Sequence, residues 1–555
     1  MTNKSTTLNE QKLRGGYYTP KEITDFICSW AIQDNNLKVL EPSCGDGNFL
    51  ESCIRRFLDI GVPRDELYGK LKGIELIPAE ALKASERVEK YGLNSDTIIN
   101  NDFFSYISSN GAEKYDVILG NPPFIRYQNF PEEHRSLAIQ MMQDLGLKPN
   151  KLTNIWAPFL VVSASLLSKD GKLGMVIPAE LFQVKYAAET RVFLSNFFQR
   201  ITIVTFKKLV FDGIQQEVVI LLCEKIVNEA EGIRVLELEC LDDLKSVDFD
   251  HVANSQVKAI DHSMEKWTKY FLNKREIDLL RAIKKSGRIP VANEMLDVDV
   301  GIVTGRNQFF MMKESQVNDW QLSDFTNKVV GKSNHLKGII FSKLDFNTNT
   351  HADYPVFLFL PPDQEFSDLP EVCKKYVQYG EKENFHTGYK CRIRKRWYIT
   401  PSLWNPDGFA LRQVNAYPKL VLNTVEASAT DTIHRVRFIS DIYSPESIVI
   451  CFLNSLTFAY SEITGRSYGG GVMTFEPTEI EELLIPVVEN HGIDFEEIDR
   501  LMRNNKIEKV LDIIDEVVLI NHYGFSKNEV NVFRNIWRKL SSRRMKRGKS
   551  TKLKK

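Results

Sequence analysis

The sequence predicts an α/β fold with a mostly parallel sheet in its first part, followed by an α+β region. Two observations carry this prediction: short β-branched runs alternate with amphipathic stretches up to about residue 225, and the alternation stops near residue 230. Strands and helices in alternation are typical of a parallel sheet covered by helices on both faces. The predicted strands are residues 37–40, 71–76, 97–100, 116–119, 173–177, 201–206 and 218–222. The predicted helices are residues 22–32, 49–60, 79–91, 157–167 and 187–198.

The length of 555 residues, with 43% hydrophobic and 26% charged residues, indicates a soluble protein of more than one domain. We expect a first domain over residues 1–230, a second over residues 231–533 and a solvated basic tail over residues 534–555, which contain Lys and Arg but no acid. The polar start does not resemble a secretion signal, and no apolar run approaches the roughly 18 residues that a membrane span needs. A cytoplasmic protein without a membrane partner is therefore predicted.

Cysteine spacing and net charge limit the classes of ligand. The eight cysteines are scattered without CxxC pairs, which argues against a zinc site and against a disulfide framework, so no metal is expected. The net charge of -1 does not exclude a nucleic-acid partner, because affinity for phosphate depends on local clusters of charge rather than on their sum.

A glycine-bearing turn follows the first predicted strand, in the segment Glu41-Pro42-Ser43-Cys44-Gly45-Asp46-Gly47. Glycines there let the backbone approach a ligand at the carboxyl edge of the sheet. A dinucleotide fingerprint would need a third glycine where the chain has Leu50. The acids Glu41 and Asp46 also suit a cationic ligand better than a phosphate. Taken alone, the segment can equally be a plain turn between a strand and a helix.

Acidic residues also follow the next two predicted strands. Glu75, before Leu76, is placed to accept both hydroxyls of a ribose, and Asp102 is placed to read an adenine amino group while Phe103 stacks on the ring. Each acid taken singly can instead be a helix cap. Three acidic strand ends in order nevertheless describe a pocket for an adenosine that carries a positive charge. S-adenosylmethionine, with its ammonium and sulfonium groups, fits that description.

The fourth predicted strand ends in Asn121-Pro122-Pro123-Phe124. The amino nitrogen of adenine attacks poorly until two acceptors draw its hydrogens out of the ring plane and localise its lone pair. Asn121 offers a side-chain oxygen, and Pro122 offers a backbone carbonyl whose direction is restricted because Pro123 follows. Fixed acceptors of this kind stabilise developing charge without reorganisation. Phe124 can then stack on the base, although a rigid turn after a strand remains the alternative.

The order of these motifs resembles the gamma-class, TaqI-like N6-adenine DNA methyltransferases over roughly residues 15 to 225. The resemblance rests on Thr19-Pro20, Glu41-Pro42-Ser43-Cys44-Gly45, Glu75, Asp102-Phe103, Asn121-Pro122-Pro123-Phe124 and Ile177-Pro178-Ala179. It implies a class I S-adenosylmethionine-dependent methyltransferase domain, Rossmann-like with a seven-stranded mostly parallel sheet, followed by an α+β target-recognition domain. Phe124 stands where many members have Tyr, so a contribution from a hydroxyl is lost while stacking is kept.

The resemblance also implies site residues and partners. It implies an adenine-specific, site-specific DNA methyltransferase that acts on a flipped-out base of double-stranded DNA, with Phe211 stacking on the face opposite Phe124. The cofactor residues it implies are Tyr18, Thr19, Pro20, Glu41, Pro42, Ser43, Cys44, Gly45, Glu75, Leu76, Asp102, Phe103 and Asn121. We expect a monomer in the bacterial cytoplasm, at the nucleoid, in restriction-modification or epigenetic marking, with any restriction endonuclease on a separate chain. Since the chain begins close to Thr19-Pro20, we expect no nuclease domain ahead of it.

The second half carries candidate DNA-binding residues. Arg392, Arg394 and Arg396 would share one face of an extended segment beside Trp397, and such a ridge suits phosphate contacts or guanine readout. The other candidates are Arg306, His434, Arg435 and Arg466, the last beside a glycine-rich segment from Ser467 to Val472. A solvated charged strand and a simple turn are the alternatives for these segments.

Two other functions remain open at this point. The same loop can methylate another planar nitrogen, such as a protein glutamine or an RNA base, although the large second half then loses its simplest explanation. The chain can also be a noncatalytic DNA-binding specificity subunit. That alternative predicts a broken cofactor or catalytic loop, and both loops are intact in the sequence.

Overall fold

The computed structural model describes residues 18–111, 113–150, 152–208, 217–227, 231–249, 252, 256–467 and 471–552, with side chains to residue 546. The chain divides into two compact units, Met1–Lys274 together with Lys546–Lys555, and Arg275–Met545. No single helix in the described ranges is long and apolar enough to cross a membrane, and one pair bent by 77°, Pro445–Cys451 and Ser455–Thr464, reaches that length and composition only when taken together.

The described strands of the first unit form an eight-stranded sheet of order β3-β2-β1-β4-β5-β7-β6-β8. The strands are β1 (Val39–Glu41), β2 (Leu71–Glu75), β3 (Ile98–Asn100), β4 (Tyr115–Gly120), β5 (Leu167–Pro178), β6 (Arg200–Phe206), β7 (Val218–Glu224) and β8 (Gly232–Leu238). Neighbours pair in parallel except at β7, which is antiparallel to β5 and β6. The strand order reverses between β1 and β4, which is where α/β sheets bind ligands.

Helices cover this sheet as the alternating sequence pattern predicts. They are α1 (Lys21–Ala31), α2 (Asn48–Asp59), α3 (Pro78–Glu89), α4 (Phe103–Asn110), α5 (Glu132–Asp144), α6 (Trp156–Ser165) and α7 (Ala188–Phe197). In α2 the apolar positions Phe49, Cys53 and Phe57 recur every four residues, and all three side chains are buried in the core. Nearly every side chain of α6 is buried, which explains why its sequence is apolar on all sides.

The sheet and the first unit extend further than the sequence predicted. An eighth strand, β8, pairs in parallel with β6 over residues 232–238, so the expectation of seven strands is corrected to eight. The unit continues to Lys274, whereas the sequence placed a boundary at residue 230. The physical reason is that β8 provides hydrogen-bond partners to β6, which would otherwise lie at the edge of the sheet.

The described strands of the second unit form three small sheets among helices, which is the predicted α+β arrangement. The sheet orders are β10-β13-β11-β17, β12-β16-β14-β18-β9 and β15-β20-β19. The strands are β9 (Leu296–Val300), β10 (Met311–Met312), β11 (Thr326–Val330), β12 (Ile340–Phe341), β13 (Phe357–Phe359), β14 (Gly408–Leu411), β15 (Gln413–Val414), β16 (Leu420–Asn423), β17 (Ser428–Ala429), β18 (Ile433–Phe438), β19 (Arg466–Ser467) and β20 (Met473–Thr474).

The helices of the second unit complete its layers. They are α8 (Lys274–Ser286), α9 (Asn307–Phe310), α10 (Glu314–Asp319), α11 (Lys343–His351), α12 (Glu371–Lys382), α13 (Tyr389–Arg392), α14 (Pro445–Cys451), α15 (Ser455–Thr464), α16 (Pro477–Glu481), α17 (Phe495–Arg503), α18 (Ile507–Ile514) and α19 (Lys527–Lys552). An aromatic core supports α9, α12 and α13, where Phe309 stacks on Tyr376 with ring centroids 4.8 Å apart and meets Trp397 at 4.7 Å.

The predicted solvated tail is instead largely the packed helix α19. Phe533, Trp537 and Leu540 are buried on one face of the helix. Arg544 is also buried and pairs with buried Glu462, with Nη2 and Oε1 separated by 2.7 Å. The expectation of a solvated tail was wrong for residues 534–545, because their apolar side chains recur at helical spacing and Arg544 pairs with Glu462 on α15.

Candidate active site

A cavity lies at the carboxyl ends of the first four strands, where the strand order reverses. Its lining residues are Tyr18, Thr19, Glu41, Pro42, Ser43, Cys44, Gly45, Asp46, Asn48, Phe49, Glu75, Leu76, Ile77, Glu80, Asn101, Asp102, Phe103, Asn121, Pro123, Ile125, Phe130 and Phe159. Because parallel strands end at one edge, acids that are far apart in the sequence meet in this cavity. The three acidic strand ends and the loop after β4 therefore share one site.

The loop between β1 and α2 has a backbone that favours glycine. Gly45 and Gly47 have φ angles of +54° and +84°, in the left-handed region. A Cβ on Gly47 would lie 3.1 Å from Ala84 Cα, so α3 also leaves little room for a side chain at this position. On α3, Arg87 donates to the backbone oxygen and the carboxylate of Asp46 at 2.8 and 2.7 Å. These contacts hold the loop in one conformation.

Glu75 joins this loop to the end of β2. Its Oε2 accepts a hydrogen bond from the backbone N–H of Gly45 at 2.8 Å, and its Oε1 accepts one from Ile77 at 2.8 Å. Burial raises the pKa of Glu75, whereas these two hydrogen bonds act against the rise. An ionised carboxylate has about four acceptor sites, so the side chain can still accept hydroxyl groups from the cavity.

Glu41 is one of the two most deeply buried acids of the cavity, with 2% of the residue exposed, the same fraction as for Asp102. Its Oε2 has no hydrogen-bond partner among the described residues. Burial, and then the nearby Cys28, Asp46 and Glu75, raise its pKa well above the ordinary value. A buried carboxylate oxygen without a partner is costly unless a cation approaches it. This acid therefore fits a positively charged group in the cavity.

Asp102 is both a helix cap and a residue of the cavity lining. It is the N-cap of α4 and accepts hydrogen bonds from the backbone N–H and the hydroxyl of Ser105, both at 2.9 Å. It also lines the cavity, and its Oδ1 lies 3.3 Å from His134 Nδ1. Beside it, Phe103 stacks on Phe159 with ring centroids 5.2 Å apart. The result is a flat apolar wall next to a carboxylate, which suits an aromatic base with an amino group.

The loop after β4 enters the same cavity. Gly120 has a φ of +155°, and a Cβ at this position would lie 3.5 Å from Glu41 Cγ. Asn121 donates from its Nδ2 to Thr19 Oγ1 at 3.1 Å, and Ser43 donates from its hydroxyl to the Asn121 carbonyl at 3.4 Å. Two other cavity elements thus hold the asparagine at the edge of the site.

The cavity brings together every predicted cofactor residue except Pro20, which lies at the N-cap of α1. Of the predicted catalytic residues, Asn121 and Pro123 line the cavity, Pro122 is buried, and Phe124 is half-buried against the core. Phe211 lies outside the described residues, so its predicted stacking role remains a prediction. The remaining lining residues, which the sequence did not assign to cofactor binding, are Asp46, Asn48, Phe49, Ile77, Glu80, Asn101, Ile125, Phe130 and Phe159.

Glu80 is the missed residue with the clearest polar contact. It lies on α3 and accepts a hydrogen bond from the Tyr18 hydroxyl at 2.9 Å, joining two sides of the cavity. Burial, and then the contact with Glu80, raise the pKa of Tyr18. An acid in the first turn of a predicted helix, five residues after Glu75, is the only sequence signal that could have identified it.

The predicted basic ridge of the second unit is not an extended segment. Residues 389–392 form the short helix α13, so alternating arginines do not share a face. Arg392 is exposed, but Arg394 donates to the Val303 carbonyl at 2.6 Å. Arg396 donates to Asp363 and Glu365, at 2.7 and 2.8 Å. Trp397 packs on the aromatic core rather than standing free at the surface.

The remaining DNA candidates differ in their access to solvent. Arg306 is exposed. His434 is fully buried, with its Nε2 2.8 Å from the Phe475 carbonyl oxygen, and Arg435 is 1% exposed. Arg466 pairs with Glu479 at 2.8 Å. Burial overturns the prediction for His434 and Arg435, because β18 is a central strand covered on both faces.

Comparisons with known proteins agree with this architecture. Residues 66–211 match the family model described as Eco57I restriction-modification methylase, and residues 264–519 match Type II methyltransferase M.Eco57I, C-terminal domain. The chain is 22% identical to Type II methyltransferase M.AccI of Acinetobacter calcoaceticus over 506 residues, covering 86% of each chain. It is 26% identical to Type II methyltransferase M.HindII of Haemophilus influenzae, covering 59% of this chain and 60% of the relative.

A solved structure shows the same fold over most of the chain. The Type IIL restriction-modification enzyme MmeI, in complex with DNA, superposes with a TM-score of 0.58 at 12% identity, covering 94% of this chain and 75% of MmeI. Among the described residues, no group of His, Cys, Asp or Glu side chains could hold a metal ion. Residues 66–211 and 264–519 thus match two family models of one kind of enzyme, and the listed relatives of this chain are type II methyltransferases.

Proposed function

We propose that the chain transfers a methyl group from S-adenosylmethionine to N6 of an adenine flipped out of double-stranded DNA. The observation that carries this proposal is a single cavity that joins three buried carboxylates, Glu41, Glu75 and Asp102, to the asparagine of an Asn-Pro-Pro-Phe loop. The three carboxylates are suited to bind an adenosine that carries a positive charge. The asparagine is suited to hold a planar nitrogen that accepts the methyl group.

The residues of the cavity fit S-adenosylmethionine. Glu41 would bind its ammonium group, since this carboxylate is buried and its Oε2 has no described partner. Glu75 would accept the ribose hydroxyls, and Asp102 would accept from the adenine amino group while Phe103 packs against the ring. Leu76 lines the same cavity and would cover the other side of the base. When bound, the sulfonium compound supplies an activated methyl group, so no metal or strong base is required.

The loop at residues 121–124 would prepare the target nitrogen. The hydrogen bond from Asn121 Nδ2 to Thr19 distinguishes the donor end of the amide from its acceptor end. Asn121 Oδ1 and the Pro122 carbonyl would accept the two hydrogens of the target amino group and localise its lone pair. Fixed dipoles aimed at a developing charge are typically the largest contribution to catalysis. Phe124 would stack on the base, which helps to offset the few kcal/mol needed to unstack it.

The experiment that tests this function identifies the methylated nucleoside. The protein is incubated with S-adenosylmethionine tritiated on the methyl group and duplex DNA, which is then digested to nucleosides and separated. We expect the label in the deoxynucleoside of N6-methyladenine. A matched duplex in which purine without the 6-amino group replaces adenine should take up no label. Label only in cytosine, in added RNA or in protein would reject adenine as the substrate.

A further inference from the structure

Two segments of the second unit meet closely at its surface. A Cβ on Gly305, whose φ is +80°, would lie 2.8 Å from Lys390 Cβ, and a Cβ on Gly388 would lie 3.0 Å from Arg306 Nε. The Arg394 guanidinium joins the same segments by donating to the Val303 carbonyl. Arg306 and α13, which are more than 80 residues apart in the chain, therefore belong to one surface.

The aromatic core holds this surface from beneath. Cys391, in the middle of α13, is fully buried in that core. Trp397 packs on Phe309 and donates its indole N–H to Glu381 at 3.1 Å. A helix of one turn that is anchored in this way presents its outward side chains in a fixed arrangement, which lowers the entropy lost when they bind a partner.

The cations of this surface divide into two groups. Arg394 and Arg396 are engaged in contacts within the protein. The others are exposed and have no ion pair with any described residue, and they are Arg306, Lys390, Arg392 and Lys395. Four unneutralised cations on a rigid surface repel one another, and a polyanion would relieve that repulsion.

Two large side chains stand among these cations. Tyr389 is 65% exposed and Ile393 is 58% exposed. They lie one helical turn apart, because the N–H of Ile393 donates to the Tyr389 carbonyl at 3.2 Å, so both are on one side of the turn. Exposed aromatic and aliphatic side chains flanked by cations match a nucleic acid, which offers charged phosphates beside apolar base surfaces.

We propose that this surface, consisting of Arg306, Tyr389, Lys390, Arg392, Ile393 and Lys395, is a DNA-reading surface of the second unit. The four cations bind phosphates on either side of a groove, and Tyr389 and Ile393 contact base-pair edges within it. The inference rests on DNA being the substrate, as proposed above. It assigns affinity and its salt dependence to the cations, and sequence preference to the two apolar side chains.

The salt dependence of DNA binding tests the cations. Each cation that neutralises a phosphate contributes about 0.9 to the slope of log K against log salt for duplex DNA. The variant with Arg306→Gln, Lys390→Gln, Arg392→Gln and Lys395→Gln should therefore reduce the slope for a random duplex by about three to four. Lys343→Gln, which removes an exposed lysine on α11 of the same unit, is the matched control and should leave the slope unchanged. A slope equal in the two variants would overturn the assignment.

Sequence preference tests the apolar pair. Ile393→Ala and Tyr389→Ala should each lower specificity by about tenfold, where specificity is the affinity for the sequence that the protein methylates divided by the affinity for a random duplex. This loss lies within the roughly 1–3 kcal/mol of a good base contact, and the salt slope should stay unchanged. Leu344→Ala is the control, since Leu344 is 76% exposed on α11. An Ile393→Ala protein that behaves like the control would overturn the assignment.

Binding is measured without turnover, so the two proposals can fail separately. A protein that has the expected salt slope but methylates no adenine would reject the proposed function and not the DNA-reading surface.

Discussion

Asn121 donates a hydrogen bond from its side-chain Nδ2 to Thr19 Oγ1, at 3.1 Å, across 102 positions of the chain. Thr19 is 6% exposed and precedes α1, whereas Asn121 follows β4. The contact joins the segment that the family resemblance places over the cofactor to the loop that would hold the target base. It fixes the amide of Asn121 before either ligand binds.

Replacing Thr19 by Val should therefore reduce catalysis more than cofactor binding. Thr19→Val keeps the size and branching of the side chain but removes the acceptor, so the Asn121 amide can rotate. We expect kcat to fall about tenfold, the loss of one hydrogen bond of roughly 1.5 kcal/mol, with the cofactor Kd changed less than threefold. Thr19→Ser keeps the hydroxyl and should restore kcat. Equal losses in the Val and Ser variants would show that packing alone explains the effect.

Glu41→Gln should stabilise the ligand-free protein in a pH-dependent way. The pKa of Glu41 is raised well above 4.5 in the folded state, chiefly by burial. As the pH rises from 4.5 towards that folded pKa, the unfolded chain loses its proton first, so the wild-type protein loses stability over this window. The midpoint of thermal unfolding of the variant, relative to wild type, should thus rise as the pH is raised above 4.5. A difference that does not change with pH would contradict this.

The same substitution should weaken cofactor binding. If Glu41 binds the ammonium group of the cofactor, the variant loses a charge-assisted hydrogen bond worth roughly 1.5–3 kcal/mol, or about 10- to 100-fold in Kd. Titration calorimetry in buffers of different ionisation enthalpy should also show proton release on binding to wild type and less release in the variant. Asp96→Asn, which removes an exposed acid outside the cavity, is the control and should bind the cofactor normally.

The candidate site could be predicted where its residues follow strands directly, and less well elsewhere. Glu41, Glu75, Asp102 and Asn121 are strand ends, and parallel pairing brings such ends to one edge whatever the helices do. Phe159 reaches the cavity from α6, which the sequence correctly predicted as a helix. Its apolar pattern covers every face, however, so periodicity could not tell which side chain faces the cavity.

The second unit shows the opposite case. A strand pattern does not reveal whether one face or both faces are covered, and β18 lies between β14 and β9 with both faces buried. His434 and Arg435 therefore looked like surface residues but are interior. Arg396 was predicted to contact DNA because the acids with which it pairs, Asp363 and Glu365, lie about 30 residues away in the sequence. Contacts of this kind depend on tertiary packing, which local pattern does not encode.

The helix α19 provides a stability test within the second unit. Arg544→Ala leaves Glu462 buried without its partner, and breaking a buried pair costs about 3–5 kcal/mol. Arg538→Ala removes an exposed pair with Glu508, whose side chains are each 49% exposed, and should cost less than about 1 kcal/mol. Urea unfolding measures both free energies of unfolding. Similar small losses in the two variants would contradict the packing of α19.

The most direct test of the central claim is single-turnover methylation of duplex DNA by Asn121→Ala. Wild-type protein and the variant are compared for N6-methyladenine formed with saturating S-adenosylmethionine, and the Kd values for cofactor and DNA are measured in parallel. Because removing one fixed acceptor from a catalytic site typically costs about 10²–10³ in rate, we expect a loss of that size with both Kd values nearly unchanged. A variant that forms N6-methyladenine at a near-normal rate would contradict the role assigned to Asn121.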